Sequence, residues 1–302
     1  MMVKAKLETL LQEGSSDIAI RKEILKEVIY KLSNLLATGT KIIPVKPLSV
    51  LDVKMSWPSE HDPNKVYPIA EGALPDLQAV VWTEYDYSLD KAIDRFRITD
   101  EAVIRGLDNV QNQTEVKRVS EAIAKAQDAN IIDAIVAGAH TGSGYYVNVA
   151  SGAEWNTANG DPEADIIAAR ELINTYSNIT AAELRQLFLL CNVNVSSQLL
   201  KLQLIGNVQQ SMANYLKTAF GIDMLETRDS DLADTAYLVA TGRNTGEHGV
   251  YTGGKVPLVE RVRRHGVGDE YIVKKWFGTK IMPESSTDTD NYRIVKINNT
   301  HA

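Results

Sequence analysis

Few of this chain's reactive residues stand at spacings that chemistry requires. Gly249, Gly254 and Lys255 have the separation of a phosphate-binding loop, in which backbone amides cradle phosphates and a hydroxyl beside the lysine holds magnesium. Val256 follows where that hydroxyl belongs, and Pro257 stands where a helix should offer its first amides, so nucleotide hydrolysis is not expected. His61, His140, His248, His265 and His301 are scattered, and no pair has metal-ligand spacing on one helix. Gly142, Ser143 and Gly144 lack the strand and helix that flank a nucleophile elbow. No carboxylate pair for hydrolysis can be singled out. The expectation is a non-enzyme with no catalytic residue, no metal and no cofactor. The one dense basic cluster is Arg261, Arg263 and Arg264, with His265 beside it. It reads as a solvated strand edge paired with acidic neighbours, ahead of contact with nucleic acid.

The elements that must carry these residues are unusually long. Val53, Met55 and Trp57 alternate with Asp52, Lys54 and Ser56, the period-two pattern of a half-buried strand. Pro58, Pro63, Pro68, Gly72 and Pro75 then punctuate a polar tip. A return arm is expected from about Gln78 to Ile98, with Val81, Tyr85, Tyr87 and Leu89 on one face and Trp82, Glu84 and Asp86 on the other. Such an arm spans roughly 65 Å, against an expected radius of gyration of roughly 19 Å. The ribbon should therefore project beyond its body. A solitary hairpin is marginal in water, so a neighbouring copy is the expected support. Thr99 caps a predicted helix that begins with Asp100 and Glu101 and runs without proline to about Ala139. Asn109 to Thr114 is a polar weak stretch where the rod could begin instead.

Composition bounds the rest. With 302 residues, 44% hydrophobic and 24% charged, the chain can bury one large or two modest cores. A net charge of −7 argues against wholesale nucleic-acid wrapping. The single cysteine, Cys191, cannot form an internal disulfide and ends the apolar run Leu187 to Leu190, so it reads as a buried apolar residue. Neither a secretion leader nor a run of about 18 apolar residues is seen, and no membrane association is expected.

Along the chain, Ile20, Ile24, Val28, Leu32 and Leu35 mark an amphipathic helix that Gly39 should end. His140 to Asn159 reads as a loop or loose hairpin. Asp161 caps a helix with Pro162 at its first position. Leu187 to Asn192 reads as a buried strand, Ser196 to Leu204 and Val208 to Phe220 as helices with Gly221 as the stop, and Met224 to Thr227 and Ala236 to Ala240 as short strands. Together they form an α/β layer. Leu258, Glu260, Val262 and Arg264 enter a turn at Gly266 to Gly268, with Tyr271, Val273, Trp276 and Ile281 in strands beyond it.

This order of arm, ribbon, long helix, α/β layer and returning β-rich end resembles the Hong Kong 97 phage capsid fold of tailed-virus major capsid proteins, a family that includes encapsulins. The resemblance covers about residues 18 to 297. Ile69-Ala70-Glu71-Gly72-Ala73-Leu74-Pro75 resembles the family's extended-loop tip, and Ile98-Thr99-Asp100-Glu101-Ala102 the entrance to its spine helix. Phe188-Leu189-Leu190-Cys191-Asn192, followed by Leu199 and Leu200, is similar to a strand-then-helix segment of the axial domain. Phe220-Gly221-Ile222 resembles the next turn, and Met282-Pro283 the closing peripheral segment.

The resemblance implies an α+β fold in five segments: 1–48 as amino-terminal arm and amphipathic helix, 49–99 as extended loop, 100–160 as spine helix and peripheral domain, 161–256 as axial domain, and 257–302 as returning peripheral strands. It implies a viral major capsid protein that assembles in the host cytoplasm into an icosahedral virion shell of pentamers and hexamers enclosing double-stranded DNA. Portal, scaffold or cement proteins are its possible partners. An encapsulin compartment enclosing a cargo enzyme is the alternative, suggested by the amino-terminal amphipathic helix. The amino-terminal segment is too short for the scaffold-like extension of some phage precursors, which argues against proteolytic maturation. Pro63, Tyr67, Ile69, Glu71, Gly72 and Leu74 at the loop tip are the expected inter-subunit contacts. Arg261, Arg263 and Arg264 would face either a neighbouring subunit or the genome.

Overall fold

The structure is a computed structural model that describes residues 29, 32–33, 36–60, 81–105, 108–140, 142, 144–157, 159–177, 179–205, 208–227, 232, 234–253, 258–264, 266–282, 291–298 and 300. Of the predicted amino-terminal stripe, Leu32 is half-buried and the other four positions lie outside the described residues, while Ile29 and Ser33 are fully buried. Gly39 opens a short 3-10 turn, Gly39–Lys41, whose first N–H donates to the Asp128 carboxylate at 2.8 Å.

After β1 (Val45–Leu48), the antiparallel ribbon forms from β2 (Asp52–Glu60) and β3 (Val81–Ser88). Val53 stands opposite Tyr87 and Met55 opposite Tyr85, while Lys54 stands opposite Asp86 and Ser56 opposite Glu84. The alternation therefore yields one apolar and one charged face. The return arm does not stay in the ribbon. At Leu89 it passes into β4 (Asp90–Thr99), which pairs with a body strand over its whole length, from Asp90 opposite Phe277 to Thr99 opposite Gly268. Phe96 and Ile98 are buried there, and burying them in a core offsets the marginal stability of an unsupported hairpin.

The rod expected from Asp100 to about Ala139 is two helices: α1 (Asp100–Ile104) and α2 (Asp108–Gly138), the latter 31 residues and about 46 Å long. The new start coincides with the polar stretch around Asn109, and Asp108 places an acid at the positive end of the helix dipole. Within the expected loop 140–159, β5 (Tyr146–Asn148) forms. Asp161 caps α3 (Pro162–Tyr176) by accepting the Ala164 N–H at 3.1 Å. Then come β6 (Leu187–Asn192), α4 (Val193–Leu199), β7 (Leu202–Ile205), β8 (Val208–Ser211), α5 (Met212–Phe220), β9 (Ile222–Thr227) and β10 (Thr235–Ala240). The chain closes with β11 (Gly246–Tyr251), β12 (Val259–Arg264), β13 (Gly268–Ile281) and β14 (Ile294–Asn298).

The two helices expected over 196–204 and 208–220 are shorter than predicted, because their facing ends pair as the β7–β8 hairpin, with Ile205 opposite Val208. Gly206 and Asn207 between them are the composition of a two-residue hairpin connection. Asn192 caps α4 earlier than expected, at Val193. Gly221 ends α5 with φ 70°, where a Cβ would stand 2.4 Å from the Arg185 carbonyl oxygen.

Two five-stranded sheets organise the body. One has the order β1-β11-β13-β12, with β4 on the other edge of β13; the second has the order β5-β14-β10-β6-β9. Sheet membership crosses the segments drawn from sequence. β1 and β11 join the strands at 259–281, and β14 joins the α/β layer through β10. Helix α2 serves both sheets. Val116, Val119 and Ile123 pack with Phe96, Ile98, Tyr271 and Val273, whereas Ile131, Ile132 and Ile135 pack with Leu190, Tyr237, Val239 and Ile294. Ile166, Ala169 and Ile173 of α3 close the far side of the second sheet.

Candidate functional site

Strand alternation divides the basic cluster that looks continuous in sequence. Arg261 and Arg263 lie on one face of β12 and Arg264 on the other. Arg261 donates to Asp269 at 2.6 Å. Arg263 pairs with Asp100 of α1 at 2.8 Å and with Asp269 at 3.5 Å. These two arginines are therefore matched by acids of their own chain, which raises both guanidinium pKa values further above their ordinary value, chiefly through the hydrogen bonds to Asp269 and Asp100 respectively.

Arg264 belongs to a different group. Its Nε lies 2.6 Å from Glu270, whose side chain is only 4% exposed. Register brings β4 alongside, with Arg97 opposite Glu270 and Arg95 opposite Ile272. Arg95 and Arg97 reach the same carboxylate at 3.4 and 3.9 Å. Three guanidiniums thus share one buried acid, and all three remain open to water, at 72% exposure for Arg95, 41% for Arg97 and 51% for Arg264. The sequence reading missed Arg95 and Arg97. Their signal was present as cations alternating with Phe96 and Ile98, but nothing local says that β4 lies beside β13.

At the other end of this face the ribbon is rooted. Val53 and Leu89 pack with Leu48, Tyr251, Leu258 and Trp276. Tyr87 donates its hydroxyl to Glu247 at 2.8 Å, and Lys46 pairs with Glu247 at 2.9 Å. Burial, with help from Glu247, raises the Tyr87 phenol above its usual range. Gly249, the first residue of the apparent phosphate loop, is a mid-strand residue opposite Gly278, and a Cβ there would stand 2.5 Å from Leu48 and 2.8 Å from the Tyr87 hydroxyl. Its small size admits the ribbon base. Gly254 and Lys255 lie outside the described residues.

The opposite face of β13 holds a buried polar chain. Lys275 is fully buried and donates to Ser33 at 2.9 Å and to the Gln127 carbonyl oxygen at 2.7 Å. The Gln127 amide nitrogen is 3.2 Å from His248 Nε2, His248 Nδ1 is 2.8 Å from Thr279 Oγ1, and Thr279 donates to Asn130 at 2.7 Å. With its oxygen held by the lysine, Gln127 donates to Nε2, so the proton of the neutral imidazole sits on Nδ1. Burial brings Lys275 down to about 7. Burial and the Lys275 charge bring His248 down to about 4.

Among the described residues the remaining sequence candidates do not assemble into a reactive centre, and His61, Ser143, His265 and His301 lie outside the described residues. Cys191 is buried, and burial pushes its thiol up to about 12. His140 packs against Tyr145 and Tyr292. Among the described residues no group of three or more His, Cys, Asp or Glu could hold a metal ion, and no helix is long and apolar enough to cross a membrane. Pro63, Tyr67, Ile69, Glu71, Gly72 and Leu74 lie outside the described residues.

No curated protein matches the sequence. Among solved structures, the chain resembles a virus-like particle from Pyrococcus furiosus at TM-score 0.59 and 15% identity, over 91% of this chain and 98% of that one. It resembles a phage-related protein from Bordetella bronchiseptica at TM-score 0.61 and 14% identity, over 91% and 96%. It also resembles the SrpI encapsulin of Synechococcus elongatus PCC 7942 at TM-score 0.53 and 9% identity, over 88% and 90%. These likenesses establish the Hong Kong 97-like capsid fold. A family described as "Phage capsid protein" matches residues 83–294, well over half of the chain, and the protein belongs to that family of shell proteins.

Proposed function

We propose that this chain is the major capsid protein of a tailed virus, assembling as pentamers and hexamers into an icosahedral virion shell that encloses double-stranded DNA. In this reading the second sheet and α3 to α5 form the axial domain, the first sheet and α2 the peripheral domain, and the β2–β3 ribbon lies over a neighbouring copy. The observation that supports it is the ribbon itself: two strands rooted at Trp276 and Leu89, whose charged face, with Lys54, Glu84 and Asp86, is exposed among the described residues and open to a neighbouring copy. Contacts of this kind join unlike patches and close into rings when the rotation allows. The tip residues Pro63, Tyr67, Ile69, Glu71, Gly72 and Leu74 are assigned to that contact. Assembly takes place in the host cytoplasm, with portal, scaffold or cement proteins as partners and no chemical step by the shell protein.

Size-exclusion chromatography and negative-stain microscopy of the purified chain test this, with large closed particles as the expected result. A monomer that persists at micromolar concentration across salt conditions would overturn it. Particles isolated from the native source separate virus from compartment, since packaged DNA supports the first and an enclosed enzyme the second.

A further inference from the structure

We propose that the three-arginine patch around Glu270 is the receptor for a second copy of this chain, taking the Glu84 and Asp86 carboxylates of that copy's ribbon against Arg95 and Arg97. The inference rests on the assembly reading above and names residues on both sides of one contact.

Among the described residues the patch carries an uncompensated charge. Arg95, Arg97 and Arg264 converge on the single carboxylate of Glu270, leaving an excess of two positive charges on an open sheet face in a chain whose net charge is −7. Exposed Val262 and Ile93 and half-buried Ile272 lie among the cations, so the face offers apolar area together with charge.

The ribbon presents the complement. Its charged face bears Asp52, Glu84 and Asp86 with one cation, Lys54, and all four are exposed. Among the described residues neither Glu84 nor Asp86 has an ion-pair partner. Both lie on β3 two residues apart, and Arg95 and Arg97 lie on β4 two residues apart. Strand geometry therefore sets each pair at about 7 Å, so two carboxylates can meet two guanidiniums in one register. Within one chain the two sets do not meet, because Asp86 and Arg95 are separated by roughly 30 Å of extended backbone. Arg264 stays with Glu270 at 2.6 Å when the other two turn outward, so the buried acid keeps a partner. Opposed charges of this kind fix docking register and exclude wrong partners.

Charge reversal tests the pairing. Four full-length proteins are compared by sedimentation and negative-stain microscopy over a concentration series: wild type, Arg95→Glu with Arg97→Glu, Glu84→Lys with Asp86→Lys, and the chain carrying all four changes. Each two-site reversal is expected to raise the concentration needed for particles about tenfold or more, and the four-site chain to recover most of that loss. Circular dichroism establishes that each variant is folded. Should the reversals unfold the chain, the neutral pair Arg95→Gln with Arg97→Gln is read instead, with a smaller rise in the same direction expected. Reversals or a neutral pair that assemble like wild type overturn the contact, as does a four-site chain no better than its parents. Normal assembly with loss only of co-purifying DNA assigns the patch to nucleic acid and also overturns it. A wild type that forms no particles removes the assembly reading itself, an outcome distinct from all of these.

Discussion

Glu270 and Lys275 stand five residues apart on one strand and on opposite faces of it, and each is a charge taken out of bulk water. Glu270 is covered by cations that themselves reach solvent. Lys275 is fully buried and donates to two neutral groups, Ser33 and Gln127 of α2. The first arrangement keeps its charge by gathering counter-charges and offers the surplus outward. The second is hydrogen-bonded to neutral groups at Ser33 and Gln127, and burial acts on its proton, bringing the lysine down to about 7. The outer face thus presents charge to water, and the inner face ties β13 to α2.

The widest separation of the two faces is expected with pH. Lysine in the unfolded chain titrates near 10.5 and Lys275 in the fold near 7. Between those values the unfolded chain binds more protons, so stability climbs as pH rises, by at most about 1.4 kcal/mol per unit and roughly 4 kcal/mol across the window. Lys275→Met should abolish the climb, as read by urea titrations at pH 7, 8.5 and 10. An unchanged slope in the variant would show that the ammonium is not held in a dry site. His248 acts in the same direction at lower pH, with its contribution present above 6.5 and lost as pH falls through about 4.

A smaller effect is expected from Gln127→Leu, which leaves the buried ammonium short of an acceptor and His248 short of a donor. A loss of about 3 kcal/mol at pH 7 is expected in chemical denaturation. A loss under about 1 kcal/mol would mean that water or another side chain takes over both bonds. The smallest effect belongs to the outer face. Glu270→Gln should cost about 1 to 2 kcal/mol, because the freed guanidiniums remain hydrated. If it costs more than Gln127→Leu, the ranking of the two faces is wrong.

What the sequence revealed follows the range over which each signal acts. Asp161 and Pro162 mark the start of α3, the apolar run ending at Cys191 marks β6, and Gly221 marks the end of α5, because caps, runs and a left-handed turn are encoded by adjacent residues. The partner of β4 could not be read that way. Its alternation fits a ribbon arm as well as a sheet strand, and only pairing with β13, more than 170 residues later, decides between them. The Arg95–Arg97–Arg264 group depends on that same pairing, so it stayed hidden while the local triplet at 261–264 stood out. The β7–β8 hairpin was missed for a different reason. Gly206 and Asn207 were a turn signal at hand, overlooked in favour of helical spacing on either side.

Helix α2 gives its first half to one hydrophobic cluster and its second half to another, with Ile123 in the former and Ile131 in the latter, about 12 Å apart along one axis. It works as a beam joining two floors. Loosening either floor removes support from the beam and so from the other, which makes unfolding a single cooperative event instead of two successive ones. A beam of this kind ties the two clusters into one unit, so in the proposed shell the curvature is set where copies meet.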